Sequence, residues 1–282
     1  MKRRFFSGIP FLCAFFLCGW TVSAAEQAKK LLIVGQGPDG HPATTHEFTA
    51  GANVLAELLK GQSDIAATVV NGDEPWSEGP KLLDAADGVV LFVTQGSAFM
   101  QTNATRWAAF KRLAARGGAI TAIHWSVGAK EAEYIPGQLE LLGATRGGPQ
   151  RKYVESLGEY KRVDPKHPIL TGVSDFTAFD EHYYRLDRRP DIQPLLTVNL
   201  ENKDEMVAWA FERPDHGRSF GFVGLHFHAN WQMSVYRRFV VQGVRWSLKL
   251  PIPAEGVNVD IDSKALELKG KLPPIPTGKK EK

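Results

Sequence analysis

Five of the eight histidines in this 282-residue chain stand in segments that directly follow predicted β-strands. They are His41, His46, His124, His226 and His228. In a parallel α/β sheet, the loops that follow the strands gather at one edge, where ligands bind. Imidazole is a common ligand of transition metals, and it transfers protons near neutral pH. The pattern predicts a polar site with His46, His124 and His226 as candidate ligands of a divalent transition metal.

His124 stands at the turn between a predicted strand and the following segment, with Trp125 and Ser126 next to it. Related architectures place a nucleophile at such a turn. A histidine there suits general-base catalysis or metal binding. The Gly-x-Ser-x-Gly pattern is absent around Ser126, which argues against a serine hydrolase.

A second cluster, Asp180-Glu181-His182-Tyr183-Tyr184, combines two carboxylates with aromatic residues. Asp180 or Glu181 is a candidate general base, or a partner that orients a histidine. Adjacent carboxylates diverge in a strand, so this pair alone cannot flank a sugar as two-carboxylate glycoside hydrolysis requires. The alternative is that residues 180–184 form a surface turn without a catalytic role.

Flat aromatic side chains near these polar residues fit a carbohydrate ligand, because they present apolar faces to sugar C–H groups. Trp125, Tyr183 and Trp231 are candidates for this role, and His41 and His228 are further substrate-binding candidates. The alternative is that the rings belong to the core and that His228 is a structural histidine.

Apolar runs and helical periodicity predict the elements that must position these residues. Strands are expected at residues 30–35, 65–70, 89–93, 119–123, 195–198, 206–211 and 219–225, and helices at 49–60, 103–115 and 234–248. Strands alternating with helices predict an α/β fold with a mainly parallel sheet and helices on both faces. Residues 137–185 show no clear periodicity.

Residues 1–24 have the pattern of a secretory signal peptide, with Lys2-Arg3-Arg4 before an apolar stretch and Val22-Ser23-Ala24 at the predicted cleavage site. The alternative is a membrane anchor, but the apolar core is short for a membrane span. We therefore expect export to the periplasm or the medium, with no membrane insertion after cleavage. Both cysteines, Cys13 and Cys18, would be removed, which excludes disulfides, cysteine metal sites and a thiol nucleophile from the mature chain.

Charge and composition narrow the range of partners. Three of the 34 basic residues lie in residues 1–24, which contain no acidic residue, so the remainder has 31 basic and 31 acidic residues. This balance argues against a nucleic-acid partner. Gly35-Gln36-Gly37 lacks the third glycine of a dinucleotide-binding loop, so no nucleotide cofactor is expected. Residues 25–253 are predicted to form one domain, and the Pro- and Lys-rich residues 254–282 a C-terminal tail.

Several segments, taken in order, resemble the ThuA-like (trehalose-utilisation-like) proteins. These segments are residues 41–48, 117–125, 167–172, 180–184, 207–222, 224–231 and 243–246. The resemblance covers about residues 30–253. It implies a flavodoxin-like three-layer sandwich similar to class I glutamine amidotransferases. Those relatives have a cysteine at the turn that His124 occupies here, so amidotransferase chemistry is not expected.

The resemblance also implies a link to disaccharide use and to sugars oxidised to 3-keto derivatives. It carries site roles over to His46, His124, Glu181 and His226, and family members often have a glycine where Leu225 stands. We expect an exported enzyme of carbohydrate catabolism that acts on a keto-sugar or glycoside by acid/base or metal-assisted chemistry. The alternative is a carbohydrate-binding or accessory protein without catalysis.

Overall fold

The computed structural model describes Met1 and residues 27–268. The predicted signal peptide and the last residues of the predicted tail lie outside the described residues. Eleven strands are described: β1 (Lys29–Gly35), β2 (Ile65–Asn71), β3 (Gly88–Phe92), β4 (Ala119–Ile123), β5 (Ala144–Thr145), β6 (Lys152–Arg162), β7 (Phe176–Tyr184), β8 (Asp187–Arg188), β9 (Gln193–Leu200), β10 (Lys203–Glu212) and β11 (Arg218–Phe222). The described α-helices are α1 (Phe48–Leu59), α2 (Gly79–Ala85), α3 (Gly96–Gln101), α4 (Ala104–Ala115), α5 (Ile135–Leu142) and α6 (Ser234–Ser247). Within residues 27–268, no helix has the length and apolar character that a membrane span needs.

One half of the main sheet is parallel, with the strand order β2-β1-β3-β4-β11. This is the order of flavodoxin-like folds, so the predicted fold class is confirmed. Helices α1 and α6 pack together on one face, and α2 to α5 contact one another on the other. The strands β3 and β4 are completely buried because helices cover both faces.

The other half of the sheet is an antiparallel extension with the order β10-β9-β6-β7. Register shifts between β10 and β9 mark a bulge, a feature that increases the local bend and twist of a sheet. Although β7 is five strands away from β4 in the sheet order, its end contacts the turn after β4: Tyr183 Oη lies 3.1 Å from His124 Nε2. The extension therefore supplies side chains to the edge where the parallel strands end.

In the parallel half, the five strands and the helices α1, α4 and α6 agree with the sequence prediction to within a few residues, whereas α2 and α3 are not predicted. The region without clear periodicity, residues 137–185, contains α5 and the long pair β6–β7. Strand β6 was not predicted because its outward positions mix charged residues with exposed apolar ones, such as Tyr153 and Leu157. Its inward positions include Gly158, so no apolar alternation is visible in the sequence.

Part of the predicted C-terminal tail packs against the domain. Val257 and Val259 are buried, the backbone N–H of Val257 donates to the Gln242 side chain at 2.9 Å, and Arg237 Nε donates to the Val259 carbonyl at 3.0 Å. These contacts cover α6, so the packed unit extends beyond residue 253. The proline-rich sequence does not reveal this packing, because an extended segment packs through only a few isolated apolar residues.

Candidate functional site

A short backbone bridge places two of the predicted histidines side by side. The loop after β1 and the loop after β11 pair at Thr45 and Phe227. The N–H of His46 donates to the carbonyl of His226 at 3.1 Å, and the N–H of His228 donates to the carbonyl of Thr44 at 2.8 Å. The two loops are about 180 residues apart in the chain, and these bonds join them where their strands end at a common edge of the sheet.

The site contains strained backbone. His46 and His124 have φ values of 52° and 53°, and Leu225, which precedes His226, has a φ of 73°. Non-glycine residues rarely occupy this left-handed region, and such strain persists where surrounding contacts impose it, commonly at functional sites. The value at Leu225 explains why a glycine would fit this position.

Three imidazole rings and one carboxylate converge on a single point. His124 Nε2 lies 2.9 Å from His46 Nε2 and 3.1 Å from His226 Nδ1. Glu181 Oε2 lies 3.5 Å from both His124 Nε2 and His226 Nδ1. All four groups are buried, and their ligand atoms lie within 4.8 Å of one another. Three of these residues were predicted as metal ligands and the fourth as a catalytic carboxylate, and the structure brings them together.

Hydrogen bonds on the far side of two rings assign their tautomers. His124 Nδ1 lies 2.8 Å from the Val223 carbonyl and must donate to it, so its Nε2 carries a lone pair. His46 Nδ1 lies 2.7 Å from Asp39 Oδ2 and donates to this carboxylate, so its Nε2 also carries a lone pair. Two lone pairs that face each other at 2.9 Å repel unless a proton or a cation lies between them.

The donor set fits a tetrahedral transition metal. Ligand nitrogens at about 2.0–2.1 Å from such an ion lie about 3.3 Å apart. The nitrogen–nitrogen distances from His124 Nε2 are 2.9 Å to His46 Nε2 and 3.1 Å to His226 Nδ1, and Glu181 Oε2 lies 3.5 Å away. Asp39 and the Val223 carbonyl orient the outer nitrogens, as outer partners of metal-bound histidines do. Asp39 also accepts from His41, so the smaller cluster Asp39–His41–His46 adjoins the first.

Burial keeps the histidines uncharged. It lowers the pKa of His46 to about 4 and that of His226 to about 3, and it holds the pKa of His124 well below its ordinary value. Neutral imidazole is the form that binds a metal, so the cluster is ready for ligation at neutral pH. Burial raises the pKa of Glu181 to about 7.

Asp180 lies beneath the site and does not line the cavity described below. Its carboxylate accepts from the N–H groups of Leu225 at 2.8 Å and His226 at 3.1 Å, and from Tyr236 Oη at 2.9 Å. The N–H of Glu181 donates to it at 3.0 Å. Of the two roles that the sequence leaves open for Asp180, catalysis or orientation of a partner, the structure favours the second, because Asp180 positions the backbone that carries His226 and Glu181.

A cavity of about 1020 Å³ opens next to the histidine cluster. Of the predicted residues, His41, His46, Trp125, Glu181, Tyr183 and His226 line it. His124 lies behind this wall, fully buried, which fits a ligand better than a base that meets substrate.

Two predicted substrate-binding residues lie elsewhere, which corrects the sequence prediction. His228 Nε2 donates to the carbonyl of Leu266 at 3.1 Å, and thus holds the C-terminal segment. Trp231 is buried, with its Nε1 next to Gly51 of α1. The alternative interpretation, core packing, holds for both residues.

Further residues that no sequence pattern identified also line the cavity, among them Asp39, Arg146, Tyr153 and Glu155. Asp39 lies only seven residues before His46, and its position after a strand could have identified it. Tyr153 and Glu155 lie directly opposite Tyr183 and Glu181 in the β6–β7 register. No local pattern shows that pairing, because it depends on the strand register.

Replacing Asp180 with Asn tests its positioning role. The amide that replaces the carboxylate carries two N–H donors, and these would face the N–H and O–H groups that now donate to Asp180. Each buried donor left without an acceptor costs about 1–3 kcal/mol. We expect Asp180→Asn to lower the free energy of unfolding by about 2–4 kcal/mol in urea titrations. The exposed control Asp187→Asn should change it by less than about 0.5 kcal/mol. Equal effects of the two substitutions would contradict this role.

Glu181 should make stability depend on pH in the metal-free protein. Its pKa rises from an ordinary 4.5 to about 7 on folding, so the folded state holds a proton that the unfolded state releases between these values. The contribution of Glu181 to the free energy of unfolding is therefore lost as the pH rises from 4.5 to 7, and the total loss is about 3 kcal/mol.

We expect Glu181→Gln to gain stability relative to the natural chain across this interval, measured by urea unfolding in EDTA at pH 4.5, 6 and 7.5. For the exposed control Glu140→Gln, the difference in unfolding free energy from the natural chain should not change with pH. A constant difference for Glu181→Gln as well would mean that its pKa does not change on folding.

Comparisons with known proteins agree with this fold. A ThuA-like protein from Bacteroides uniformis ATCC 8492 is similar at a TM-score of 0.60 and 14% identity, over 81% of this chain and 95% of that one. One from Parabacteroides merdae ATCC 43184 is similar at a TM-score of 0.61 and 14% identity, over 86% and 100%. At these identities the likeness shows the fold alone. No protein of curated function matches the chain.

The sequence profile of the family described as "ThuA: Trehalose utilisation" matches residues 34–247. That span contains the parallel half of the sheet after the start of β1, the antiparallel extension and every residue of the histidine cluster. The chain therefore belongs to the ThuA family.

Proposed function

We propose that this protein is a metal-dependent enzyme of carbohydrate catabolism. The observation that supports it most is the close approach of the Nε2 lone pairs of His46 and His124, next to His226 Nδ1. Tyr183 Oη and His226 Nδ1, each 3.1 Å from His124 Nε2, can donate to that nitrogen, but within residues 27–268 no donor reaches His46 Nε2. A divalent cation held by the three histidines would satisfy them all. Such an ion supplies Lewis-acid polarisation of a carbonyl or hydroxyl oxygen.

A sugar or its keto derivative is the proposed substrate. The family description points to carbohydrate, and the cavity is of the size that small-molecule sites have. Trp125 and Tyr183 offer ring faces to C–H groups, and His41, with 43% of its side chain exposed, can bond to hydroxyls.

Glu181 is the proposed proton-transfer group. It lines the cavity next to the histidine cluster, whereas the other nearby carboxylate of the cluster region, Asp39, is engaged by His41 and His46. A keto group acidifies the neighbouring C–H of a sugar. Glu181 would take that proton and return it to the product or to a leaving group, as in elimination or isomerisation. Tyr183 Oη, close to both Glu181 and His124, would help to orient the carboxylate.

Metal binding tests the first part of the proposal. We expect the purified protein, dialysed against Zn²⁺ or Co²⁺, to retain about one equivalent, with the Co²⁺ form showing the absorption bands of a tetrahedral site. Replacing His46, His124 or His226 with Ala should weaken binding at least tenfold, as disturbance of a metal site commonly does. The exposed control His216→Asn should bind normally. Absence of binding, or full binding in all three variants, would refute the metal site.

Turnover tests the second part. We expect the metal-loaded protein to release p-nitrophenol from a p-nitrophenyl 3-keto-glucoside, and Glu181→Gln to lower kcat by about 100-fold or more. The substituted protein should still bind the glycoside, since the change keeps the shape of the side chain. Binding without turnover in the natural chain would favour a carbohydrate-binding protein without catalysis.

A further inference from the structure

Arg146 occupies an unusual place in the cavity wall. Only 7% of its surface is exposed, and its guanidinium carbon lies 4.3 Å from the Trp125 ring centroid and 4.4 Å from that of Tyr183. The Tyr153 ring lies 5.4 Å away on another side. Three aromatic rings thus fix the orientation of the cation by cation–π contacts.

The guanidinium of Arg146 has no acceptor within residues 27–268. Its Nε is buried without a hydrogen-bond partner, and no carboxylate of those residues lies within ion-pair distance. Burial lowers its pKa from the ordinary value. Nearby Glu181 stabilises the cation electrostatically but accepts no hydrogen bond from it, so a group that supplies acceptors there gains binding energy.

The other buried arginines show that this absence is particular to Arg146. Arg213 bonds to Asp215 and the Gly118 carbonyl. Arg245 bonds to Asp64, and Arg106 to Glu74. Arg237 bonds to backbone carbonyls of residues 231, 232 and 259. Each of these four buried arginines has acceptors for its guanidinium, although Arg106 Nε has none, whereas Arg146 has no acceptor among residues 27–268.

Backbone hydrogen bonds fix the position of Arg146. Its N–H donates to the Val127 carbonyl at 2.9 Å, and its own carbonyl accepts from Ala129 at 3.1 Å. This bridge ties it to the segment that follows His124. A Cβ on Gly128 would lie 1.9 Å from the Arg146 carbonyl oxygen, so the close approach requires glycine.

The charges around the cavity also favour an anion. Lys130 and Arg151 line it beside Arg146. Of the lining carboxylates, Asp39 is engaged by two histidines and Glu181 faces the histidine cluster, which leaves Glu155 as the exposed acid. A divalent cation at the cluster would add further positive charge to the cavity.

We propose that the Arg146 guanidinium binds a carboxylate of the ligand, so that the cavity selects an acidic sugar such as a uronic acid over its neutral counterpart. This inference rests on the proposed carbohydrate function and names the substrate class. The Arg146 fork matches a carboxylate with two parallel hydrogen bonds. Tyr183 packs against both the Arg146 guanidinium and the His124 ring, whose centroid lies 4.9 Å away. A sugar held on Arg146 therefore lies next to Glu181 and the histidines.

Calorimetric titration of the metal-loaded protein tests the proposal. The probes are D-glucuronate against D-glucose and D-galacturonate against D-galactose, each at low and high salt. We expect at least one uronate to bind tenfold or more tightly than its neutral counterpart, with weaker binding at high salt. Arg146→Gln should remove this preference, and Arg146→Lys should restore part of it. The exposed control Arg188→Gln should keep it.

Metal content and thermal unfolding of each variant separate recognition from misfolding, and the natural chain separates the two proposals. Equal binding of acidic and neutral sugars would overturn the role of Arg146 but leave the carbohydrate function standing. No binding of any sugar by the metal-loaded chain would overturn both. Acetate that competes as well as the uronates would show a general anion site and overturn the sugar-acid assignment.

Discussion

The buried carboxylate of Asp180 is the interaction on which the site depends. It accepts hydrogen bonds from the loop after β11, from α6 and from its own strand β7. These elements belong to the parallel half, to its covering helix and to the antiparallel extension. A charge without water is stable only when donors surround it, so this group forces the three elements into one arrangement. Glu181 and His226 flank the bonded atoms and take their positions from it.

The histidine cluster differs from the Asp180 site, because in the cluster nitrogen lone pairs face one another. The outer nitrogens of His46 and His124 are occupied by Asp39 and the Val223 carbonyl, so both inner nitrogens present lone pairs. Burial prevents protonation from relieving that contact. Strained backbone at both residues is the cost of bringing the rings this close.

Tyr183 connects the two charged parts of the cavity. Its ring stacks on His124 and also contacts the Arg146 guanidinium, and its hydroxyl lies near the cluster. One aromatic side chain from the end of β7 thus lies between the proposed centre of proton transfer and metal binding and the proposed carboxylate-binding arginine. The fold is shared with distant relatives at 14% identity, so function has to be argued from these side chains rather than from the fold.

Local sequence determined much of this protein. Buried strands such as 119–123 and the amphipathic helix near 234–248 were predicted because hydrophobic periodicity is set by neighbouring residues. The gathering of His46, His124 and His226 followed from one topological rule, that parallel strands end at a common edge.

Tertiary structure alone decided the rest. The curled extension brought Tyr183 to His124, and strand register placed Glu155 opposite Glu181. The packing of α1 and the C-terminal segment removed Trp231 and His228 from the cavity, and the missing acceptors of Arg146 became visible only in place. Each of these depends on contacts between residues far apart in the chain, and hydrophobic periodicity carries no information about such contacts.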